Sequence, residues 1–268
     1  MEKPLYEEMF RMEGTHWWFV GRRRVIFTLL KRYLTRLRPT VQRPLICDIG
    51  AGCGLNLVEL SKEYDVTGME ASDDAIRFCR GRGEKVVKGE LPDIIPFPPG
   101  SFDALLLLDV LEHVERDQEA LNNASAVLKD GGILLATVPA YPWLWTKRDD
   151  FHGHRRRYTR SSLERLLLGA KLRIALLTYF NTLLFLPAAG ARLARRVTRS
   201  DRYGPDLSMP KGCINLLLAN IFASERLILP HVTLPFGLSL LCAAQRLGPA
   251  PAGANEFHGS QSATRKGE

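Results

Sequence analysis

A short apolar run from Leu45 delivers a carboxylate, Asp48, into a glycine-spaced loop, "DIGAGCG" (48–54). A second carboxylate, Glu70, follows twenty residues after Gly50. Glycines in such a loop let the backbone approach a ligand closely and take positive φ. At the carboxyl end of a strand in an α/β sheet, that ligand lies in the crevice above the sheet. The spacing argues against two phosphate chemistries. A dinucleotide fingerprint needs glycine at the sixth position counted from Gly50, where this chain has Leu55. The sequence also lacks a GKS/T phosphate loop. Asp48 would repel a pyrophosphate but suits an ammonium group. Glu70, at the end of a second strand, is spaced to accept hydrogen bonds from both hydroxyls of a ribose. The ligand called for carries a ribose and an ammonium group but no phosphate.

Strands and helices must carry those residues to one edge. "LICDIG", "VTGME", "EKVVKG", "FDALLLLDV" and "ILLATVPA" read as buried strands. Between them "LNLVELSKEY", "SDDAIRFCRGRG" and "ERDQEALNNASAVLKDGG" read as helices. This alternation implies a parallel sheet covered on both faces, and right-handed crossovers make it doubly wound. Residues 1–40 form a helical cap ahead of the sheet. There Val25, Ile26, Leu29, Leu30, Tyr33, Leu34 and Leu37 recur at helical spacing until Pro39 and Pro44 break the pattern. After Pro139, "YTRSSLERLLLGA" reads as a helix in which Ser161 and Glu164 have capping-box spacing. "KLRIALLTYF" and "FGLSLLCAAQR" read as two more strands, around an apolar helical insertion at about 182–234. The sheet domain thus runs over 41–247, and the tail from Gly248 to Glu268, rich in Gly, Ala, Pro, Ser and charge, is expected to be disordered.

Composition bounds the remaining choices. The five cysteines (Cys47, Cys53, Cys79, Cys213, Cys242) form no CxxC pair, so the chain suggests neither a zinc site nor a disulfide framework. A reducing cytoplasm fits, and no metal is expected. The acidic start, "MEKPLYEEMF", lacks the apolar segment of a signal peptide. The most apolar stretch, "IALLTYFNTLLFLPAAG", is about 17 residues long and broken by Asn181 and two threonines. A span needs ~20 apolar residues, so contact with a membrane surface is the most it offers. The net charge of +8 is concentrated: eight basic and no acidic residues lie between Val20 and Cys47, with further clusters in "HGHRRRYTR" and "ARLARRVTRSDR". Such clusters suit nucleic acid, anionic lipid or a phosphorylated metabolite, or simply a solvated face.

S-adenosylmethionine combines ribose and ammonium without phosphate. The chain resembles the class I S-adenosylmethionine-dependent methyltransferases in "DIGAGCG" (48–54), "GMEAS" (68–72), "GELPDIIPFPPGSFDALLLLDVLEHV" (89–114) and "LKDGGILLATVP" (128–139), in that order over about residues 44–140. "HWWFVGRRR" and "GHRRRYT" look like those of a bacterial subgroup. The resemblance implies a seven-stranded Rossmann-like sheet closed by an antiparallel hairpin, with S-adenosylmethionine as donor and S-adenosylhomocysteine as product. It also implies that Asp48 and the loop of Gly50, Ala51, Gly52 and Gly54 hold the methionine moiety. Glu70 would take the ribose, with Ala71, Glu90 and Leu91 around the adenine. Here Glu90 stands where the family more often has Asp. Asp109, Val110 and His113 would lie beside the sulfonium.

The acceptor side is read from what flanks that core. "DDFHGHRRRYTR" follows the fifth strand and should overhang the same edge. His154 and Tyr158, with His113, are candidate bases or orienters, His152 a substrate contact, and Arg155, Arg156 and Arg157 partners for an acceptor phosphate or carboxylate. The alternative is that these residues only stitch a loop to a helix. Trp17, Trp18 and Phe19 are expected to roof donor and acceptor, with Trp18 and Arg22 on the donor and Trp17 on the acceptor. Trp17 packed into the core is the competing reading. Three functions follow: methylation of a small or amphiphilic, isoprenoid- or lipid-like and phosphate-bearing acceptor; methylation of nucleic acid, favoured only by charge; or donor binding without catalysis. "DVLEHV" is not the Pro-Pro-aromatic motif of many amino-methylating nucleic-acid enzymes. The sequence leaves the oligomeric state open.

Overall fold

The computed structural model describes residues 3–190 and 209–248. Its seven strands are β1 (Leu45–Ile49), β2 (Asp65–Glu70), β3 (Val86–Lys88), β4 (Phe102–Leu108), β5 (Leu128–Pro139), β6 (Leu172–Phe180) and β7 (Ser239–Arg246). They form one sheet in the order β3-β2-β1-β4-β5-β7-β6. β1 to β5 are mutually parallel, and β7 runs antiparallel to β5 and β6. This is the doubly wound sheet and closing hairpin expected from the sequence. Every residue of β4 is buried, and so are Ile46 to Ile49 of β1, because helices cover both faces. That removes any need for alternation and explains the continuous apolar runs.

The helices whose two ends both lie in the described residues are α1 (Lys3–Met12), α2 (Trp17–Leu37), α3 (Leu55–Leu60), α4 (Asp73–Gly81), α5 (Asp117–Ala126), α6 (Lys147–His152), α7 (Arg160–Gly169) and α8 (Gly212–Ser224). One core cluster joins α2 and α8 to the sheet through Val25, Ile26, Leu29, Leu30 and Phe222. The other joins α5 and α7 to the opposite face through Leu121, Ala124, Leu163 and Leu167. α2 contains the residue 25–37 stripe of the sequence, and that stripe packs into the core.

One local expectation changes. α7 is capped by Thr159, whose hydroxyl accepts from the Ser162 N–H while the Ser162 hydroxyl accepts from the Thr159 N–H, so Ser161 and Glu164 form no box. The longest apolar stretch is β6 and the turn after it, and no helix among the described residues is long and apolar enough to cross a membrane. A buried carboxylate ties the insertion down. Glu225 accepts from the backbone N–H groups of Asn181, Thr182 and Leu183 at 2.7, 2.6 and 3.0 Å. The basic cluster "ARLARRVTRSDR" and all but the first residue of the 248–268 tail lie outside the described residues.

β1 and β4 are neighbours although β2 and β3 intervene in the chain. The loops after β1 and β4 therefore leave the sheet in opposite directions, and a crevice opens between them at the topological switch point.

Candidate active site

The loop after β1 turns through three left-handed glycines, Gly50, Gly52 and Gly54. Its first amides fold back on β2, the Gly50 N–H donating to the Met69 carbonyl at 2.8 Å. A Cβ at Gly50 would lie 2.5 Å from Val110 Cγ2, and one at Gly52 2.8 Å from Met9 Cε. The loop thus runs tightly between the end of β4 and α1, and bulk at either position would displace a wall of the crevice. α1 is clamped over the loop: Phe10 stacks on Phe78 of α4, and Arg82 pairs with Glu13 at 2.6 Å.

Asp48 is fully buried at the start of this loop, and its Oδ2 has no hydrogen-bond partner among the described residues. Burial pushes its pKa up to about 7, with Arg22 and Asn56 pulling the other way. A buried acceptor of this kind is costly unless a donor or cation meets it. Glu70 holds the facing loop. Its Oε2 accepts from the Gly52 N–H at 2.9 Å, and its Oε1 from Ala71 and Ser72 at 2.9 and 3.0 Å. Three bonds leave a carboxylate with acceptor capacity to spare. The orphaned Asp48 oxygen and the close-packed glycine cradle fit the ammonium and amino-acid end of S-adenosylmethionine, and Glu70 fits its ribose. Leu91 is buried beside the strand ends, whereas Ala71 and Glu90 are exposed at the rim.

Asp109 ends β4 with a left-handed backbone, φ 59°. Thr137 donates to its Oδ1 at 3.1 Å, and Arg22 forms an ion pair with its Oδ2. The Arg22 guanidinium lies 4.5 Å over the ring of Trp18. Arg22 of α2, carried on the ring of Trp18, therefore meets Asp109 at the carboxyl edge. Trp17 turns the other way, its ring edge-on to Phe222 at 6.3 Å and its N–H bonded to Asn215 at 2.8 Å. It packs α2 on α8, which corrects the expected substrate contact.

The loop after β5 also differs from expectation, because its arginines are already paired. Arg157 is bidentate on Asp149 at 2.8 and 3.0 Å and also donates to the Ala140 carbonyl. Arg156 pairs with Asp117 at 2.8 Å, and Arg155 with Glu115 at 3.3 Å. The Tyr158 hydroxyl is buried against Asp117 and the Leu111 carbonyl. Burial and that carboxylate raise its pKa far beyond a useful base. Arg155, Arg156 and Tyr158 fasten the loop to the segment after β4, and Arg157 braces the loop internally, rather than face an acceptor. The three histidines do come together: the rings of His113 and His154 are 4.8 Å apart, and those of His152 and His154 5.9 Å. Burial, then a neighbouring charge, lowers His113 and His152 to about 4 each, so both are neutral at neutral pH.

Two residues here escaped sequence reasoning. Glu112, beside His113 in "DVLEHV", is fully buried, and neither carboxylate oxygen has a partner among the described residues. Burial and the Asp109 charge push its pKa well above the carboxylate range. Asp149 anchors the loop, taking His154 Nδ1 at 2.9 Å and the Thr146 N–H at 2.8 Å besides Arg157. The spacing Thr146-x-x-Asp149 is a capping-box signal that could have revealed it.

Comparisons agree with this fold. The methyltransferase domain family model matches residues 47–136. A fatty-acid O-methyltransferase of Mycolicibacterium smegmatis is 30% identical over 110 residues, 38% of this chain and 40% of that protein. A demethylmenaquinone methyltransferase of Tropheryma whipplei is 31% identical over 105 residues, 36% of this chain and 42% of that protein. The matches thus span about two fifths of the length of these curated relatives. A solved geranyl diphosphate methyltransferase in complex with S-adenosylmethionine covers 82% of this chain and 84% of its own, at a TM-score of 0.54 and 16% identity, a likeness of fold alone. The motif, the strand order and the family match agree: residues 47–136 are similar to the methyltransferase domain family and lie on a seven-stranded Rossmann-like sheet.

Proposed function

We propose that this protein transfers a methyl group from S-adenosylmethionine to a small or amphiphilic acceptor of isoprenoid or lipid type. The observation that carries the donor half is the buried, unpartnered Asp48 oxygen beside a glycine loop, across from Glu70. When bound, the donor supplies a methyl group on an electrophilic sulfonium. The chain's own residues must hold, align and exclude water. Asp48 takes the ammonium, Gly50 to Gly54 admit the amino-acid end, Glu70 takes the ribose, and Ala71, Glu90 and Leu91 border the adenine. Trp18 and Arg22 close the edge from above, and Asp109 and Val110 line it from below.

The acceptor class rests on apolar surface and on kinship. Leu183, Leu186, Ile214, Leu216 and Leu217, all in or beside the insertion, are exposed large apolar residues. The curated relatives are named for fatty-acid and quinone acceptors and the structural neighbour for geranyl diphosphate. With Arg155 to Arg157 paired internally, a phosphate on the acceptor loses its main support, and the apolar part becomes the recognised feature. The same surface suits work at the face of a membrane from the cytoplasm. A transfer assay with labelled methyl donor over fatty acids, quinols, prenyl phosphates and RNA tests the reading. Label in an apolar acceptor is expected; label in RNA alone, or in none with donor binding intact, would overturn it.

A further inference from the structure

Glu112, His113 and His154 converge beside Asp109 on the acceptor side of the crevice. One ligand atom from each lies within 4.8 Å of the other two. The carboxylate is completely buried and unbonded among the described residues, and a carboxylate so placed is costly without a proton or a cation to meet it. The imidazoles are held from behind. His154 Nδ1 bonds Asp149 Oδ1 at 2.9 Å, and His113 Nδ1 bonds the Gly153 carbonyl at 3.3 Å. With Nδ1 donating in each, Nε2 keeps its lone pair. Asp149 is itself fixed by Arg157 and Thr146. A histidine whose far nitrogen donates to a carboxylate or carbonyl, itself pinned by further bonds, is oriented as metal-ligating histidines are.

We propose that Glu112, His113 and His154 bind a divalent first-row transition cation. Two imidazoles and one carboxylate select zinc, manganese, iron(II) or cobalt over magnesium or calcium, which prefer all-oxygen sets. Ligand distances of ~2.0–2.2 Å require the three atoms to draw together, and no hydrogen bond among the described residues holds the carboxylate where it is. The His154 side chain is 16% exposed, which gives a cation a way in. Three protein ligands leave coordination positions for solvent or an acceptor oxygen. That last role rests on the proposed methyl transfer; cation binding does not.

The test uses the full chain, stripped with chelator and titrated with Co(II) in the absence of methyl donor, read by visible absorption and by metal content after dialysis. One Co(II) per chain is expected, with Glu112→Gln and His154→Asn each weakening binding roughly tenfold or more and His152→Ala leaving it intact. Circular dichroism and S-adenosylmethionine affinity report whether each variant is folded, and either ligand variant suffices if the other does not fold. No retained metal, or unchanged affinity in a folded ligand variant, would overturn the site. Neither outcome touches donor binding, so failure here and failure of the methyltransferase reading are distinguishable.

Discussion

Arg22 on α2 forms an ion pair with Asp109 at the end of β4, 87 residues further along the chain, and lies 4.5 Å over the ring of Trp18. The pair joins the helical N-terminal segment to the strand that borders the donor crevice. Arg22 is also the strongest influence holding down the pKa of Asp48 against its burial. One guanidinium therefore serves two carboxylates, and the electrostatics of the site depend on α2 staying in place.

A pH prediction follows for Asp48. Its folded pKa, about 7, lies above the unfolded value of ~3.9. The contribution of this group to the stability of the ligand-free protein is full below pH ~4 and is lost as pH rises through about 7. Donor binding has the opposite sign, because the ammonium needs the ionised carboxylate. Affinity for S-adenosylmethionine, measured by calorimetry, should fall as pH drops through about 7, and Arg22→Ala should move that midpoint upward. Asp48→Asn should melt no lower than the parent at pH 8 while losing roughly 2–3 kcal/mol of donor affinity. Normal donor binding by Asp48→Asn would remove Asp48 from the site.

The two adjacent tryptophans should behave differently. The Trp17 ring packs on Phe222, so Trp17→Ala, which keeps the backbone N–H bond to Asn215, should cost ~1–3 kcal/mol of stability with donor affinity unchanged. Trp18 carries the Arg22 guanidinium, so Trp18→Ala should weaken donor binding by ~0.5–2 kcal/mol with a smaller loss of melting temperature. Denaturant titration paired with calorimetry separates the two, and the reverse pattern would exchange their roles.

How far the sequence reveals this arrangement depends on where each residue's partner lies. β1 and β4 are legible because burial on both faces leaves a continuous apolar run, and α2 because its buried stripe keeps helical spacing. Asp48, Gly50 and Glu70 are legible because strand, loop and strand fix their separation. Arg155 and Arg156 read in sequence as ligand contacts because their acidic partners, Glu115 and Asp117, are drawn in by the fold from the segment after β4, and Arg157 because its partner Asp149 is brought back to it by the turn within its own loop. A basic run in sequence carries no record of such pairing. Glu112 is silent for the same reason: its burial and the approach of His154 arise from folding about 40 residues of chain back onto one turn, and no ligand spacing announces it.

Asp149 should control the acid stability of the loop after β5. Burial raises its pKa, but His154, Arg157 and the Thr146 N–H more than offset this and hold it well below the usual carboxylate range. Its folded pKa is therefore depressed, and its stabilisation is full above pH ~4 and lost progressively below. Asp149→Asn leaves the Arg157 guanidinium buried without a countercharge, a loss of about 3–5 kcal/mol at neutral pH. The gap between the melting curves of parent and variant should narrow progressively as pH falls below ~4, without closing by pH ~3, because the folded-state carboxylate is still ionised there. A constant gap across that range would show that the pair is not what holds the loop.

Glu225 offers a test of how the insertion is fastened. Its carboxylate caps three consecutive backbone N–H groups at the end of β6, and it does so from a short turn that follows α8. Removing it strands three donors, those of Asn181 and Thr182 buried and that of Leu183 part-buried, and a buried donor left unmade costs roughly 1–3 kcal/mol. Glu225→Ala should thus destabilise the protein by more than any single surface change. Glu225→Gln, which keeps two acceptor lone pairs on one oxygen, should recover part of the loss. Because α8 packs against α2, hydrogen exchange in the alanine variant should rise in α8 and in the first turns of α2, around Trp18 and Arg22, before it rises in β1 or β4. Exchange confined to residues 181–183 would mean that the carboxylate caps a local turn and does not hold the insertion against the site.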